Sequence, residues 1–411
     1  MKLIDRPLYT ERIVSRLNKG MMLVLIGQRR VGKSFLLRLT KKWIEENRPE
    51  ANIAYINKEL NDFSKINTAQ DLYAFASERL PEGEENYLLI DEVQDIEGYE
   101  EALRSLYASE RCQIIITGSN AYVFSSELST RLSGRYIEIP VYSLGYEEFL
   151  KFWGADDSDE ALLHYLTVGG LPGLSRCDTN DEAEVRDYLQ GVYNTILMKD
   201  IVTRHKIRNT TFLENLTNFM ADNVGKLIST SNIAKFMRGQ GTAISGSAVS
   251  DYINYICGAL LAKEVRRYDI HGKKLFETLS KYYYSDHGLR NLLCGFNLLG
   301  SIEKILENVV YNHLVISGWE VTVGILHRSE IDFVATRGSE RIYIQVAYLL
   351  SSEETVKREF GNLAAIKDNY PKIVVTMDPV DGSFPQYPGI RHIRLRKFLR
   401  NSLQSYSSPI G

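Results

Sequence analysis

The chain has 411 residues, a formal net charge of −3 at pH 7 and a pI near 6.2. Its length suggests about three domains, each able to bury a core of its own. The small overall charge excludes neither a nucleic acid nor a protein partner, because a basic face on one domain can be balanced by acids elsewhere. The first residues lack the apolar segment of a signal peptide, and no apolar run approaches the ~20 residues that span a bilayer. We therefore expect a cytoplasmic protein without membrane association.

The cysteines also limit the chemistry. Cys112, Cys177, Cys257 and Cys294 lie far apart in the sequence, with neither a C-x-x-C pair nor a histidine at ligand spacing. This pattern predicts buried or inert thiols, and it indicates neither a disulfide framework nor a zinc site.

The first functional motif is the segment 27–34, which matches the pattern G-x-x-x-x-G-K-[ST] at every fixed position. An apolar run precedes it and a helical pattern follows it, so that backbone N–H groups and the helix dipole would point at bound phosphates. Lys33 would place its charge on the β- and γ-phosphates, and Ser34 would be a Mg²⁺ ligand. The motif predicts a site for ATP and Mg²⁺, formed by Gly27, Gln28, Arg29, Arg30, Val31, Gly32, Lys33, Ser34 and Phe35.

A second motif, at 87–92, is an apolar strand pattern that ends in Asp91 and Glu92. A P-loop ATPase needs a carboxylate here to complete the Mg²⁺ shell, and we expect Asp91 to supply it. Glu92 would lie on the other side of the strand end, where a carboxylate can polarise the attacking water. The alternative is two acids that end a strand in solvent, but the P-loop upstream favours the catalytic interpretation.

Strands and helices alternate from residue 21 to about residue 142. This alternation predicts an α/β fold of the P-loop NTPase type, with a parallel sheet covered on both faces. In such sheets ligands gather at the carboxyl ends of the strands. The predicted strands cover 21–27, 52–57, 87–91, 112–117 and 135–141.

Polar residues follow the fourth predicted strand. Ser119 or Asn120 would lie beside the P-loop and sense the γ-phosphate or the attacking water, although an ordinary turn is an equal alternative. Arg131 and Arg135 come next, and an arginine near a phosphate site can stabilise the charge of the transition state from its own or a neighbouring subunit. Arg135 is the better candidate, against the alternative that both arginines flank a solvated turn.

After a P-loop core assigned to residues 1–145, a helical pattern predicts a lid over 146–199. Residues 200–281 are assigned to a winged-helix domain, because their order is helix, turn, helix and hairpin. From residue 201 this segment holds twelve Lys or Arg against six Asp or Glu. The hairpin could contact the phosphates of DNA, but packing or a protein contact is an equal alternative, since no basic recognition helix precedes it. Its basic side chains are Lys263, Arg266, Arg267, Lys273 and Lys274.

The last predicted domain, 282–411, has the outline of a PD-(D/E)XK nuclease core of the restriction-endonuclease type. That chemistry needs an Asp and a Glu to hold Mg²⁺ and a Lys two residues after the Glu. Glu307 and Asp332 fit. Gln345 and Ala347, however, stand where the second carboxylate and the lysine are required, and a neutral amide is a poor Mg²⁺ ligand. We therefore expect a nuclease-like fold with no nearby cation and no nuclease activity.

The resemblance of this chain to a known family rests on seven segments: 27–34, 89–94, 116–121, 132–135, 169–172, 199–202 with Arg204, and 343–347. Together they resemble the bacterial AAA-type ATPases, common in Bacteroidetes, whose carboxy-terminal half is a domain of unknown function with a winged helix and a degenerate nuclease-like core. The resemblance covers nearly the whole chain. It implies ATP binding, slow hydrolysis and a place near the AAA+ and signalling-ATPase branch, and it supports roles for Asn120 and Arg135.

Three functions are compatible with the sequence. The first is an ATP-driven switch or motor that couples the nucleotide state of residues 1–199 to DNA or another partner. The second is a DNA-processing nuclease-ATPase, against which Gln345 and Ala347 argue. The third is a regulator that binds ATP without hydrolysis and binds a protein through the winged helix, against which Asp91 and Glu92 argue. The sequence leaves open the partner and whether the chain forms homo-oligomers.

Overall fold

The computed structural model describes residues 4–121, 132, 134–239, 244–276, 279–326 and 329–400. Arg131, one of the two arginines considered above, lies outside these ranges. The chain divides into two compact units: Met1–Ser143 with Gly258–Leu260, and Leu144–Cys257 with Leu261–Gly411.

The first unit is an α/β layer structure built on five parallel strands. The strands are β1 (Met22–Ile26), β2 (Asn52–Asn57), β3 (Asn86–Asp91), β4 (Gln113–Gly118) and β5 (Tyr136–Pro140), and the described helices are α1 (Pro7–Val14), α2 (Lys33–Asn47), α3 (Ala69–Arg79) and α4 (Tyr99–Ala108). The strands pair in the order β2-β3-β4-β1-β5, parallel throughout. The predicted parallel sheet is confirmed, with strand ends within one or two residues of the expected positions.

Apolar runs explain why these strands lie in the middle of a layered fold. β1, β3 and β4 are buried along almost their whole length, as expected of parallel strands covered by helices on both faces. One core cluster contains Val24, Ile90 and Ile116 from these strands together with Leu72 of α3 and Leu103 of α4. This core aligns the carboxyl ends of β1, β3 and β4 at one edge of the sheet.

The helices of the second unit begin in the region predicted to be a lid. The helix that ends at Thr195 continues directly into a π-helical segment, Ile196–Thr203. The described helices are α5 (Tyr146–Trp153), α6 (Asp159–Val168), α7 (Glu182–Thr195), α8 (Thr210–Asp222), α9 (Thr230–Gly239), α10 (Gly246–Gly258), α11 (His287–Leu293), α12 (Leu298–Ile316), α13 (Glu353–Ala364) and α14 (Leu395–Arg400).

The strands of the second unit form two sheets. These strands are β6 (Ala262–Val265), β7 (Arg267–Asp269), β8 (Lys274–Leu275), β9 (Lys281–Tyr284), β10 (Glu320–Leu326), β11 (Ser329–Arg337), β12 (Glu340–Val346), β13 (Lys372–Thr376) and β14 (Ile390–Arg394). β6 pairs with β9, and Ile228 bridges Ser280 beside them. The larger sheet has the order β14-β13-β12-β11-β10-β7-β8.

The basic hairpin differs from its prediction. β7 and β8 do form a hairpin, with Tyr268 opposite Leu275, but β7 also pairs in parallel with β10 and thereby joins the larger sheet. A domain boundary at 281/282 therefore separates strands that belong to one sheet. The sequence could not indicate this pairing, because two- and three-residue polar strands carry almost no periodic signal.

The four cysteines are free thiols, and each is partly buried rather than fully enclosed. Within the described ranges, no helix combines the length and apolar character needed to cross a bilayer.

Candidate nucleotide site

The two fixed glycines of the P-loop are required by its conformation. A Cβ on Gly27 would lie 2.1 Å from the carbonyl oxygen of Val141, so any side chain there would displace the backbone. Gly32 has φ 99° and caps α2, in the left-handed region that glycine tolerates best. The loop that follows β1 therefore packs closely against the backbone of Val141. It ends at Gly32, and Lys33 is the first residue of α2.

Lys33 lies inside the curve of the loop. Its side chain is almost fully buried, and Nζ donates hydrogen bonds to the carbonyl oxygens of Gly27 at 2.8 Å and Gln28 at 2.9 Å. The ammonium is thus fixed where the motif predicts the phosphate charge. Other loop residues face elsewhere: Arg30 is exposed, and the Phe35 ring packs under the Arg38 guanidinium, 4.5 Å from it.

Asp91 lies beside Ser34, as the Mg²⁺ interpretation requires. The side chain of Ser34 and the hydroxyl of Thr117 both hydrogen-bond the carboxylate, the latter donating to Oδ1 over 2.7 Å. Burial raises the pKa of Asp91, and these two hydrogen bonds oppose that rise only in part. A serine hydroxyl and a carboxylate are oxygen ligands of the kind that Mg²⁺ takes.

Glu92 follows in a left-handed conformation, with φ 55° and ψ 57°. Its Oε2 accepts hydrogen bonds from Ser119 Oγ at 3.0 Å and from the amide of Gln94, and the guanidinium of Arg29 lies 3.9 Å away. Burial alone would raise the pKa of Glu92, but Lys33, Arg29 and the two hydrogen bonds outweigh it and leave the pKa below its ordinary value. Glu92 is therefore ionised at neutral pH.

Unpartnered polar atoms cluster around this site. Among the described residues, no hydrogen-bond partner reaches the buried atoms Gln28 Nε2 and Oε1, Asp91 Oδ2 and Gln94 Oε1. Leaving a buried polar atom without a partner costs about 1–3 kcal/mol, so such atoms are few in a folded protein. Their position at the P-loop and the end of β3 indicates a polar ligand, and the free Asp91 oxygen fits a divalent cation.

The end of β4 adds a further polar side chain to the site. Ser119 Oγ donates a hydrogen bond to Glu92, and Asn120, buried at 1% exposure, follows it at the same edge of the sheet. The sensor roles of Ser119 and Asn120 stay predictions.

Arg135 lies at the opposite edge of the sheet. Its carbonyl oxygen accepts a hydrogen bond from Met22 N at the start of β1, whereas the P-loop follows the end of β1. A five-residue strand separates the two edges by roughly 15 Å. The guanidinium lies over the Tyr107 ring, 5.7 Å from its centre. An own-subunit role for Arg135 is therefore excluded by distance, which leaves the neighbouring-subunit role or the solvated-turn alternative.

Sequence reasoning missed three residues of the site. Thr117 Oγ1 both donates to Asp91 and accepts the N–H of Glu92 at 2.9 Å, so it holds the two carboxylates in register. Gln94 donates a hydrogen bond to Glu92. Burial, together with the charge of Asp91, raises the pKa of Tyr55 to about 12. A polar residue near the carboxyl end of a strand was the available signal for Thr117 and Tyr55.

The nuclease-like residues form a second polar cluster, in the second unit. Asp332 N donates to Gln345 Oε1 at 2.7 Å, and Asp332 Oδ2 accepts the N–H of Val346 at 2.8 Å. Lys281 contacts both Glu307, at 3.0 Å, and Asp332, at 3.9 Å. The expectation that no cation lies nearby was wrong, because Lys281 arrives from β9, a strand distant from the motif in sequence.

The basic hairpin side chains are not equivalent. Arg266, Lys273 and Lys274 are exposed. Lys263 is partly buried, and Arg267 donates to the carbonyl oxygen of Leu279 at 2.9 Å. Three of the five predicted DNA contacts therefore face solvent.

Comparison with known proteins agrees with this geometry. Residues 19–150 match a family described as an AAA domain, and residues 159–299 match one described as a domain of unknown function, DUF8612. An uncharacterised protein of Haemophilus influenzae is 35% identical over 380 residues, which are 91% of this chain and 93% of the relative. An uncharacterised protein of Methanocaldococcus jannaschii is 28% identical over 386 residues, or 89% and 82% of the two chains.

Among solved structures, the Walker-type ATPase of Pyrococcus abyssi has a TM-score of 0.49 and 17% identity, over 71% of this chain and 95% of that chain. The P-loop geometry, the AAA-domain match and the extensive identity to the Haemophilus influenzae protein agree with one another. The chain belongs to the same family as that protein, and it carries an AAA domain, with the P-loop described above, followed by DUF8612.

Proposed function

We propose that this protein hydrolyses ATP with Mg²⁺ and acts as a nucleotide-driven switch or motor, coupled to DNA or another partner through its carboxy-terminal half. The observation that carries the catalytic part is the set of unpartnered buried polar atoms around Lys33 and the carboxylates Asp91 and Glu92. A ligand rich in oxygens and charge would satisfy them.

The site residues divide the work. Lys33 stabilises the β- and γ-phosphates, while Ser34 and Asp91 would hold Mg²⁺, which neutralises phosphate charge. Glu92, ionised at neutral pH, orients the attacking water and accepts its proton. Thr117 fixes the spacing of the two carboxylates.

Slow turnover is part of the proposal. Glu92 Oε2 already accepts hydrogen bonds from Ser119 and Gln94, and these donors compete with water for that oxygen. The carboxylate becomes fully available only when those contacts loosen. A partner that shifts Ser119 or Gln94 would therefore raise the rate of hydrolysis.

Two observations support the proposed architecture of the second unit. The order α8, bridge at Ile228, α9, α10, β6 and β9 is that of a winged helix. In the nuclease-like core, both amide atoms of Gln345 are engaged, since Oε1 accepts from Asp332 N and Nε2 donates to Glu359 at 2.7 Å. An amide committed in this way supports an inactive nuclease.

The experiment that tests the proposed function is ATP turnover measured with and without single- and double-stranded DNA, at two salt concentrations. Mg²⁺-dependent phosphate release that DNA stimulates at low salt would support coupling to DNA. Phosphate release that ignores DNA would favour a protein partner, and ATP binding without phosphate release would refute the ATPase.

Neutralising the exposed hairpin charges should weaken DNA binding. In the variant Arg266→Gln/Lys273→Gln/Lys274→Gln, each lost phosphate contact should reduce the slope of log K against log salt by about 0.9. The control Lys357→Gln/Lys367→Gln changes exposed lysines elsewhere in the second unit and should bind as wild type does. Equal affinity in wild type, the hairpin variant and the control would refute the hairpin contact.

The DNA should stay intact when it is incubated with wild type in Mg²⁺ or Mn²⁺. Cleavage that Asp332→Ala abolishes would refute the proposal of an inactive nuclease.

Arg135→Ala should slow ATP hydrolysis by at least ~100-fold with little change in ATP affinity, since a charge supplied by a neighbouring subunit acts only as the transition state forms. Mixing this variant with Glu92→Gln chains should restore part of the activity, because sites with an intact Glu92 then meet an intact Arg135. Wild-type turnover of Arg135→Ala alone would return the residue to the solvated-turn alternative.

A further inference from the structure

A buried ammonium group lies in the middle of the acidic cluster of the second unit. Lys281 Nζ is 2.7 Å from Glu330 Oε1, 3.0 Å from Glu307 Oε1 and 3.9 Å from Asp332 Oδ1. Its side chain is 2% exposed. Three elements therefore meet at one charge: β9 supplies the lysine, α12 supplies Glu307, and β11 supplies the other two carboxylates.

Neutral donors complete the surroundings of this charge. Tyr283 OH donates to Glu307 at 2.5 Å, and Val346 N donates to Asp332 at 2.8 Å. Gly225 closes over the cluster, because a Cβ there would lie 2.3 Å from Glu307 Oε2. The Lys281 ammonium therefore lies in a closely packed polar cluster and not at the surface.

The electrostatics favour a permanent positive charge at this position. Burial by itself would lower the pKa of Lys281, but Glu307, Asp332 and Glu330 outweigh it and raise the pKa above its ordinary value. Three carboxyl groups therefore surround one ammonium, which holds them together.

We propose that Lys281 is the built-in counter-ion of a latent divalent-cation site: its ammonium takes the place of a metal ion among Glu307, Glu330 and Asp332 and keeps that site closed. A set of carboxylate oxygens suits Mg²⁺, Mn²⁺ or Ca²⁺. As the side chains stand, no three acidic, histidine or cysteine residues in the described ranges are placed to hold a metal. The lysine occupies the space between them.

Because Lys281 fills the cation position in the second unit, that unit should need no metal. All divalent-cation dependence of wild type should therefore arise at the P-loop. The same ion cluster also joins β9 of the small sheet to β11 of the seven-stranded sheet, so that removing the ammonium loosens the junction as well as opening the cation site.

The test is the thermal stability of full-length Lys281→Met with no nucleotide present. Removing one partner of a buried ion cluster leaves repelling carboxylates, so the Tm should fall by roughly 5–10 °C in EDTA. Millimolar Mn²⁺ or Ca²⁺ should restore at least half of that loss. Lys304→Met, which removes a more exposed ion pair with Asp222, should show no metal-dependent recovery. A fall in Tm that neither metal reverses would overturn the latent site.

A second measurement does not depend on the variant folding. Mn²⁺ binding to wild type, followed by electron paramagnetic resonance, should give no tight site without nucleotide and one site per chain with ATP. A tight site without nucleotide that Asp332→Asn removes would show that a metal enters beside Lys281, and would overturn the proposal.

Discussion

Lys33→Ala is expected to abolish tight ATP binding. The ammonium of Lys33 is buried and held by the carbonyl oxygens of Gly27 and Gln28, so its charge has a fixed position within the P-loop. A charge-assisted hydrogen bond contributes about 1.5–3 kcal/mol, and loss of contacts to two phosphates would weaken binding by at least ~100-fold. Titration with a fluorescent ATP analogue measures this change directly.

The matched control is Lys41→Ala on the same helix. Lys41 forms an ion pair with Glu45 at the surface, and its loss should leave ATP affinity within about twofold of wild type. If Lys33→Ala bound ATP as tightly as Lys41→Ala, the P-loop assignment would be wrong.

Glu92→Gln is expected to keep ATP binding and to stop turnover. Glutamine retains the shape of the side chain and can still meet Ser119, but it can neither accept a proton nor orient water with a full negative charge. General-base catalysis contributes about 10²–10⁴-fold, so phosphate release should fall by that factor while affinity changes little. Binding and phosphate release should be measured on the same preparation.

The exposed Glu78 provides the comparison for this variant. Glu78→Gln removes an equal charge from the surface and should hydrolyse ATP at the wild-type rate. Equal loss of binding and turnover in Glu92→Gln would assign the residue to nucleotide binding and reject its role as the base.

The nucleotide site could be predicted because its parts are local in sequence. The P-loop, the Asp91–Glu92 pair and Ser119 each follow an apolar strand, and a parallel sheet brings such strand ends together. Thr117 was within reach of the same rule. Gln94 was not, because its contact with Glu92 depends on the left-handed turn at Glu92, for which the sequence has no glycine as a sign.

The rest could not be predicted because it depends on contacts between distant segments. Lys281 reaches the acidic cluster from the first residue of β9, which the predicted boundary at 281/282 separated from the rest of that strand. The position of Arg135 follows from the register of β5 against β1, which places it at the edge away from the P-loop. Local patterns identify the chemistry of such residues, but only the pairing of strands tells which residues meet.

The most direct test of the ATPase assignment is phosphate release from ATP by purified wild type, compared with Glu92→Gln, in Mg²⁺ and in EDTA. We expect slow multiple-turnover hydrolysis by wild type in Mg²⁺, none in EDTA, and bound but intact ATP in Glu92→Gln. Wild-type protein that binds ATP in Mg²⁺ and leaves it intact over many hours, with or without DNA, would contradict the assignment and make ATP a structural ligand.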